Sequence, residues 1–133
     1  MDSHDLDNPF LQSLGVRLAD WSDGRVEFHL PMAPTLANRT GRLHGGVLCT
    51  LLDACGGYSG LYTPPGAAMR HAVTLSLTTQ FLDSRPGSLL TARGRVEKQG
   101  RSVYFSRSEV WMDDECLLAT AVGTFKYLKT PGG

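Results

Sequence analysis

The sequence predicts an α+β chain in which an antiparallel sheet wraps around one long central helix. Two observations carry that reading. From Gly45 to Leu61 the chain holds a single strongly charged residue, Asp53, among apolar and small ones. A helix with so little to offer solvent has to lie inside the molecule. From Ala72 onward the pattern changes to long segments of alternating apolar and polar residues, the period of strands. In the last of these Ala119, Ala121 and Gly123 share one face, small enough for a sheet to approach a helix closely.

The elements follow in order. Residues 7–14 (DNPFLQSL) read as a short helix with Asp7 or Asn8 as its cap and Pro9 in the first turn. Residues 15–21 and 25–30 read as two strands joined at Ser22-Asp23-Gly24, a hairpin signal. A polar loop with Pro31 and Pro34 leads to His44. The central helix is expected over 45–62, ended by Thr63-Pro64-Pro65-Gly66. Residues 72–82 alternate, with Val73, Leu75, Leu77 and Phe81 on one side and Thr74, Ser76, Thr78 and Gln80 on the other. Strands over 89–98 and 102–112 are joined by Gln99-Gly100-Arg101, and a last strand over 116–128 follows the Asp113-Asp114 turn.

Length and charge bound the function. A chain of 133 residues fits a single domain spanning 1–133. Lys plus Arg and Asp plus Glu each total 13, which argues against broad attraction to nucleic acid. Three cysteines (Cys49, Cys55 and Cys116) form no CxxC pair, and an odd count points to a reducing cytoplasm. The acidic start MDSHDLDNPF lacks the apolar core of a signal peptide, and no apolar run approaches the ~20 residues a membrane helix needs. The expectation is a soluble cytoplasmic protein. His4, His29, His44 and His71 show no metal-ligand spacing.

On the central helix Val47, Leu48, Leu51, Leu52, Cys55, Tyr58 and Tyr62 form the core stripe, and Asp53 lies nearly opposite. Its neighbours there are Cys49, Thr50, Gly56, Gly57 and Gly60, which suggests another backbone packing close, from a second subunit. Asp53 is therefore a candidate acid, base or nucleophile; a stray surface charge and a locally satisfied acceptor are the bland alternatives. The His44-Gly45-Gly46 turn leaves backbone N–H groups open at a helix start, where the dipole favours the negative charge of an oxyanion. Alone, that turn is equally a tight structural turn, and His44 a hydrogen-bonded structural histidine. Cys49 and Cys55 sit in an apolar helix with nothing to lower a thiol pKa, which argues against a Cys–His nucleophile.

Asn38, then His44-Gly45-Gly46 six residues later, then an acid nine residues past His44, resemble the PaaI-like hotdog-fold acyl-CoA thioesterases. The resemblance runs over nearly the whole chain and includes Val96-Glu97-Lys98-Gln99-Gly100-Arg101-Ser102. It implies a hotdog fold, dimers with the sites between subunits, and stacking of dimers into tetramers. It also implies hydrolysis of acyl-CoA with neither metal nor organic cofactor. Carried over, Gly45 donates its N–H to the thioester carbonyl and His44 shapes that turn. Asp53 is the general base or nucleophile, Asn38 helps place water or the carboxylate, and Thr74 on the following strand is the matching hydroxyl. Lys98, Gly100, Arg101 and Ser102 fall in a turn that in the family lies near the coenzyme A nucleotide. Branches with a glutamate and a hydroxyl one turn later fit less well, since that position is Gly57.

Two other readings stay open at this point: a hotdog hydratase or dehydratase, and a non-catalytic acyl-CoA-binding module. The loop RLHGGV lacks the proline or aromatic residues usual around a hydratase histidine, and a binder has little use for Asp53. The acyl pocket is expected between the helix, the N-terminal segment and the 64–71 loop. Aryl-acetyl, hydroxybenzoyl and medium-chain acyl groups are all compatible with the sequence.

Overall fold

The computed structural model describes residues 6–129; His4 and the other residues before Leu6 lie outside the described residues. Its elements are α1 (Pro9–Leu14), β1 (Arg17–Ser22), β2 (Arg25–Pro31), a 3-10 turn (Pro34–Leu36), α2 (Gly45–Ser59), β3 (Ala72–Phe81), β4 (Leu89–Gln99), β5 (Val103–Met112) and β6 (Cys116–Tyr127). The six strands form one antiparallel sheet in the order β1-β2-β4-β5-β6-β3, and α2 packs against its inner face. This is the hotdog arrangement.

The sheet holds the helix through two kinds of contact. Leu51, Leu52 and Cys55 are fully buried against Phe28, Leu90, Val110 and Leu118 of the same core. Side chains of the sheet also occupy helix carbonyls. Ser108 Oγ donates to the Leu52 carbonyl, Ser106 Oγ to Gly56, and the Tyr104 and Tyr127 hydroxyls to Gly57 and Gly60. From β1, Trp21 Nε1 donates to the Tyr58 carbonyl. The last carbonyls of a helix have no partner within it, so the bonds to Gly56, Gly57, Tyr58 and Gly60 fix where α2 stops. It ends at Ser59 rather than Tyr62, because the Gly60 and Leu61 N–H groups tighten onto Gly57 and Tyr58 three residues back. Tyr62, just past that end, stands edge-on to Trp21.

Two expectations change. Gly56, Gly57 and Gly60 do not wait for a second subunit: they face rings of their own sheet. A Cβ built at Gly56 would come within 2.7 Å of the Phe125 ring, and one at Gly60 would collide with Tyr104. The alternation of β3 also breaks, because the pairing slips between Thr74 and Ser76. Thr74 pairs with inward-facing Phe125, and beyond the bulge Leu77 pairs with Gly123 and Phe81 with Ala119. Thr74, Leu77 and Phe81 thus share the inner face, while Val73 pairs with the exposed Lys126.

Candidate active site

The start of α2 is built by the loop before it. Asn38 Oδ1 accepts from the Thr40 N–H (2.9 Å), the Thr40 hydroxyl (2.7 Å) and the Arg42 N–H (3.1 Å). Its carbonyl oxygen is therefore spent on folding this loop, and only its amide NH₂ stays available. A bridge between Ala37 and Leu43 closes the loop and delivers His44 to the N-cap position of α2. There Nδ1 of His44 accepts the Gly46 N–H at 2.8 Å, so in the neutral ring the proton sits on Nε2. The Gly45 N–H has no partner among the described residues and is exposed at the tip of the helix. Among the described residues a Cβ at Gly45 would meet only the Phe81 ring, at 3.8 Å.

Asp53 stands in the middle of α2, half-buried. Its Oδ1 accepts a hydrogen bond from Thr74 Oγ1 at 2.6 Å, and Oδ2 has no partner among the described residues. The pair lies at a cavity of about 270 Å³, lined by Phe10 and Leu11 of α1, Ala54 and Leu61 of the helix region, and Phe125 of β6. Asn8 and Tyr58 also line it, and Asn8 Nδ2 donates to the Tyr58 hydroxyl at 3.3 Å. Polar groups thus meet in an otherwise apolar wall. Of the three segments expected around an acyl pocket, the helix and the N-terminal segment line this cavity, while residues of the 64–71 loop line adjoining hollows, one of which shares Asn8, Tyr58, Leu61 and Ala72 with it. Phe10 belongs to that N-terminal segment without having been singled out, and Phe125 was missed. The signal for Phe10 was a large apolar residue directly after the proline of a short helix.

The structure brings together Asp53 with Thr74, and separately Asn38 with His44 and Gly45. It does not bring the two groups to one point within a chain, since eight residues of helix separate Gly45 and Asp53 by about 12 Å. Lys98, Gly100, Arg101 and Ser102 lie farther still. Their hairpin is tied to the C-terminal end of α2, with Gln99 Nε2 on the Tyr127 hydroxyl and that hydroxyl on the Gly60 carbonyl. The α2 helix is 15 residues long, so roughly 22 Å separates this hairpin from Gly45. All four residues are exposed. Cys55 is fully buried, and burial pushes its thiol well above the usual range, which makes it inert as a nucleophile. Among the described residues no group of three or more His, Cys, Asp or Glu could hold a metal, and no helix is long and apolar enough to cross a membrane.

Comparison with known proteins identifies the family. Residues 40–119 match the thioesterase superfamily model. A protein of Saccharolobus solfataricus whose name carries the word esterase is 30% identical over 117 residues, 88% of this chain and 81% of its own length. A Bacillus halodurans structure determined with CoA is 26% identical, covers 95% of this chain and 82% of its own, and superposes with a TM-score of 0.78. The PaaI protein of E. coli, from the phenylacetic acid degradation operon, shares the fold at 20% identity, with a TM-score of 0.80 over 92% of this chain and 86% of its own. The match spans the N-cap, the whole of α2 and both residues of the Asp53–Thr74 pair, and the chain belongs to the thioesterase superfamily.

Proposed function

We propose that the protein is an acyl-CoA thioester hydrolase whose site is shared between two subunits. The observation that carries this reading is the Thr74–Asp53 hydrogen bond at the mouth of a mostly apolar cavity. The threonine hydroxyl holds one oxygen of the carboxylate and leaves the other free to take a proton from water or to attack the acyl carbon directly. The Gly45 N–H, at the positive end of α2, receives the developing oxyanion, and His44 keeps that N–H exposed by capping Gly46. Coenzyme A leaves as the thiolate and takes up the proton. Where Asp53 acts as base, the hydroxide it generates joins the acyl carbon. Where it attacks directly, a water then opens the acyl–Asp53 anhydride. Both routes end in the free acid and a restored carboxylate, with the acyl group in the cavity beside Asp53. Asn38 acts through the loop it folds, with its amide NH₂ left to hold a water.

The two halves meet only if two helices run antiparallel across a two-fold axis, each giving Gly45 to one site and Asp53 to the other. Cys49, midway between the two positions, then lies near the axis. The strand β3 supports this arrangement: it is an edge, and Val73, Leu75, Phe81 and Leu82 on or beside it are 43–57% exposed. An apolar open edge is a place for a second copy. The minimum assembly is thus a homodimer, and stacking of dimers makes the tetramer. The Bacillus halodurans relative held with CoA supports acyl-CoA as the substrate class. The odd cysteine count and the even charge balance support a cytoplasmic setting without nucleic acid partners. A single catalytic domain over 1–133 needs no metal or organic cofactor for this chemistry.

The experiment is thiol release from a panel of aryl-acetyl, hydroxybenzoyl and medium-chain acyl-CoAs, with Asp53→Asn beside the wild type. Thiol release that falls by roughly 10²- to 10⁴-fold in a folded variant supports the reading. Hydration of enoyl-CoA without thiol release would replace it by a hydratase. Binding without either reaction would replace it by a carrier module.

A further inference from the structure

The outer face of the sheet, turned away from α2 and the acyl cavity, carries a cavity of about 490 Å³ over Val26, Gly94 and Ser108, which are themselves buried. Strand register sets its charge. Arg25 of β2 stands directly opposite Arg95 of β4, and Arg95 directly opposite Arg107 of β5. Their buried neighbours Val26, Gly94, Ser106 and Ser108 face inward, so by strand alternation the three guanidinium groups face outward together. Like charges directly opposite each other on neighbouring strands destabilise a sheet. Here three stand in one row, across two strand spacings of about 4.8 Å each.

The acids nearby are spent elsewhere. The next outward row is Glu27, Arg93 and Glu109. Arg93 donates to Glu27 Oε1 at 2.8 Å and to Asp114 Oδ1 at 2.9 Å, and His29 Nε2 lies 2.7 Å from Glu27 Oε2. Glu109 Oε1 accepts from Trp111 Nε1 at 2.9 Å. Arg25 and Arg95 make no ion pair among the described residues. Arg107 has Glu97 at 3.5 Å, with both side chains reaching into solvent, where such a pair is worth little.

We propose that Arg25, Arg95 and Arg107 bind a short chain of phosphate groups, either a free oligophosphate or the phosphate tail of a nucleotide. Each guanidinium fork takes two phosphate oxygens, and the bound anion removes the repulsion that the row builds into the sheet. The row spans about 10 Å from the first strand to the third, so its ligand carries charge along its length. A single sulfate reaches only part of it. The chain is also short, because Asp20, Glu27 and Glu109 border the row and Glu97 stands beside Arg107. The backbone of a long nucleic acid would run onto these carboxylates. The site uses neither Gly45 nor Asp53 and stands apart from the thioesterase reading.

The test is calorimetric titration of tripolyphosphate, ATP and sulfate into the wild type, Arg95→Gln, Arg25→Gln and Lys126→Gln, at about 0.1 M salt to screen distant charges. Lys126 is exposed on β6 outside the cavity and controls for general charge. Tripolyphosphate is expected to bind the wild type roughly tenfold or more tightly than sulfate. Binding should weaken roughly 10- to 100-fold in Arg95→Gln and in Arg25→Gln, as for loss of charge-assisted contacts, and less than about twofold in Lys126→Gln. ATP bound as well as tripolyphosphate would assign recognition to the phosphate chain alone, and ATP bound more tightly would assign it to a nucleotide; either supports the site. In thermal melts tripolyphosphate should raise the wild-type midpoint more than that of Arg95→Gln. Without ligand Arg95→Gln should melt no lower than the wild type, since it removes a charge with like charges on both sides. Wild-type titration without binding, sulfate bound as tightly as tripolyphosphate, unweakened arginine variants, an equal loss in Lys126→Gln, or displacement of tripolyphosphate by a short DNA duplex would each overturn the proposal.

Discussion

Thr74 Oγ1 donates to Asp53 Oδ1 at 2.6 Å, and it does so because β3 carries a bulge at Leu75. The bulge lets the strand turn Thr74 inward over Phe125 and still place Leu77 and Phe81 inward farther on. Without it, either the hydroxyl or the apolar residues would face solvent. Thr74→Ala is predicted to leave Asp53 without its held oxygen and to lower kcat by roughly 10- to 100-fold, the worth of a hydrogen bond to a charged group. Thr74→Ser should keep most of the activity. Steady-state thiol release on the two variants checks this; equal loss in both would show that the methyl group, not the hydroxyl, matters.

Gly45 is predicted to act through its backbone. Among the described residues an added Cβ meets just the edge of Phe81, in ordinary contact, so Gly45→Val should fold with nearly wild-type stability. The bulk beside the N–H should crowd the carbonyl oxygen, and loss of such a donor costs ~3 kcal/mol in the transition state. Thermal melts set beside turnover separate the two effects. A variant that melts early but turns over normally would make the glycine structural.

Gly94 is the place where the sheet touches the helix backbone. A Cβ there would run into the carbonyl of Cys55, which is main chain and cannot swing aside. Gly94→Ala is predicted to destabilise the fold by about 1–3 kcal/mol in denaturant unfolding, the cost of overpacking. A variant as stable as the wild type would mean that α2 stands farther from β4 than described.

Acid sensitivity should trace in part to Glu27 on the outer face of the sheet. Partial burial alone would raise its carboxyl, but hydrogen bonds from Arg93 (2.8 Å) and His29 (2.7 Å) outweigh that and hold it below the usual value. A carboxyl lowered in the folded state contributes stability above its unfolded pKa, and this is lost as pH falls through the folded one. Glu27→Gln is thus predicted to be less stable than the wild type at neutral pH, with the gap closing in acid. Denaturant midpoints across that pH range provide the check; a gap that stays constant would assign the effect to packing.

Much of this was legible in the residues. The apolar run around Asp53 and the small face of Ala119, Ala121 and Gly123 were enough for a sheet wrapped on a helix, since both follow from what can be buried. The pairing of Asp53 with Thr74 followed from the resemblance, while strict alternation put Thr74 on the opposite face from Leu77. A bulge is a one-residue slip that leaves no mark in composition, which is why periodicity alone could not find it. The glycines of α2 were readable as a close approach but not as to whose. Aromatic rings from β5 and β6 fill that space, and their register against the helix is a tertiary fact. Asn38 showed its loop only once Thr40 and Arg42 were seen to converge on its oxygen.

The central claim is that Gly45 of one subunit and Asp53 of another act on one thioester. It is tested most directly by mixing Gly45→Val and Asp53→Asn subunits, each inactive alone, through unfolding and refolding, then measuring thiol release from acyl-CoA. Random pairing makes about half of the dimers mixed, and each mixed dimer holds one intact site of two, so about a quarter of wild-type activity should return. Mixed dimers demonstrated by mass, with no activity above the parents, would place the whole site within one chain and contradict the account.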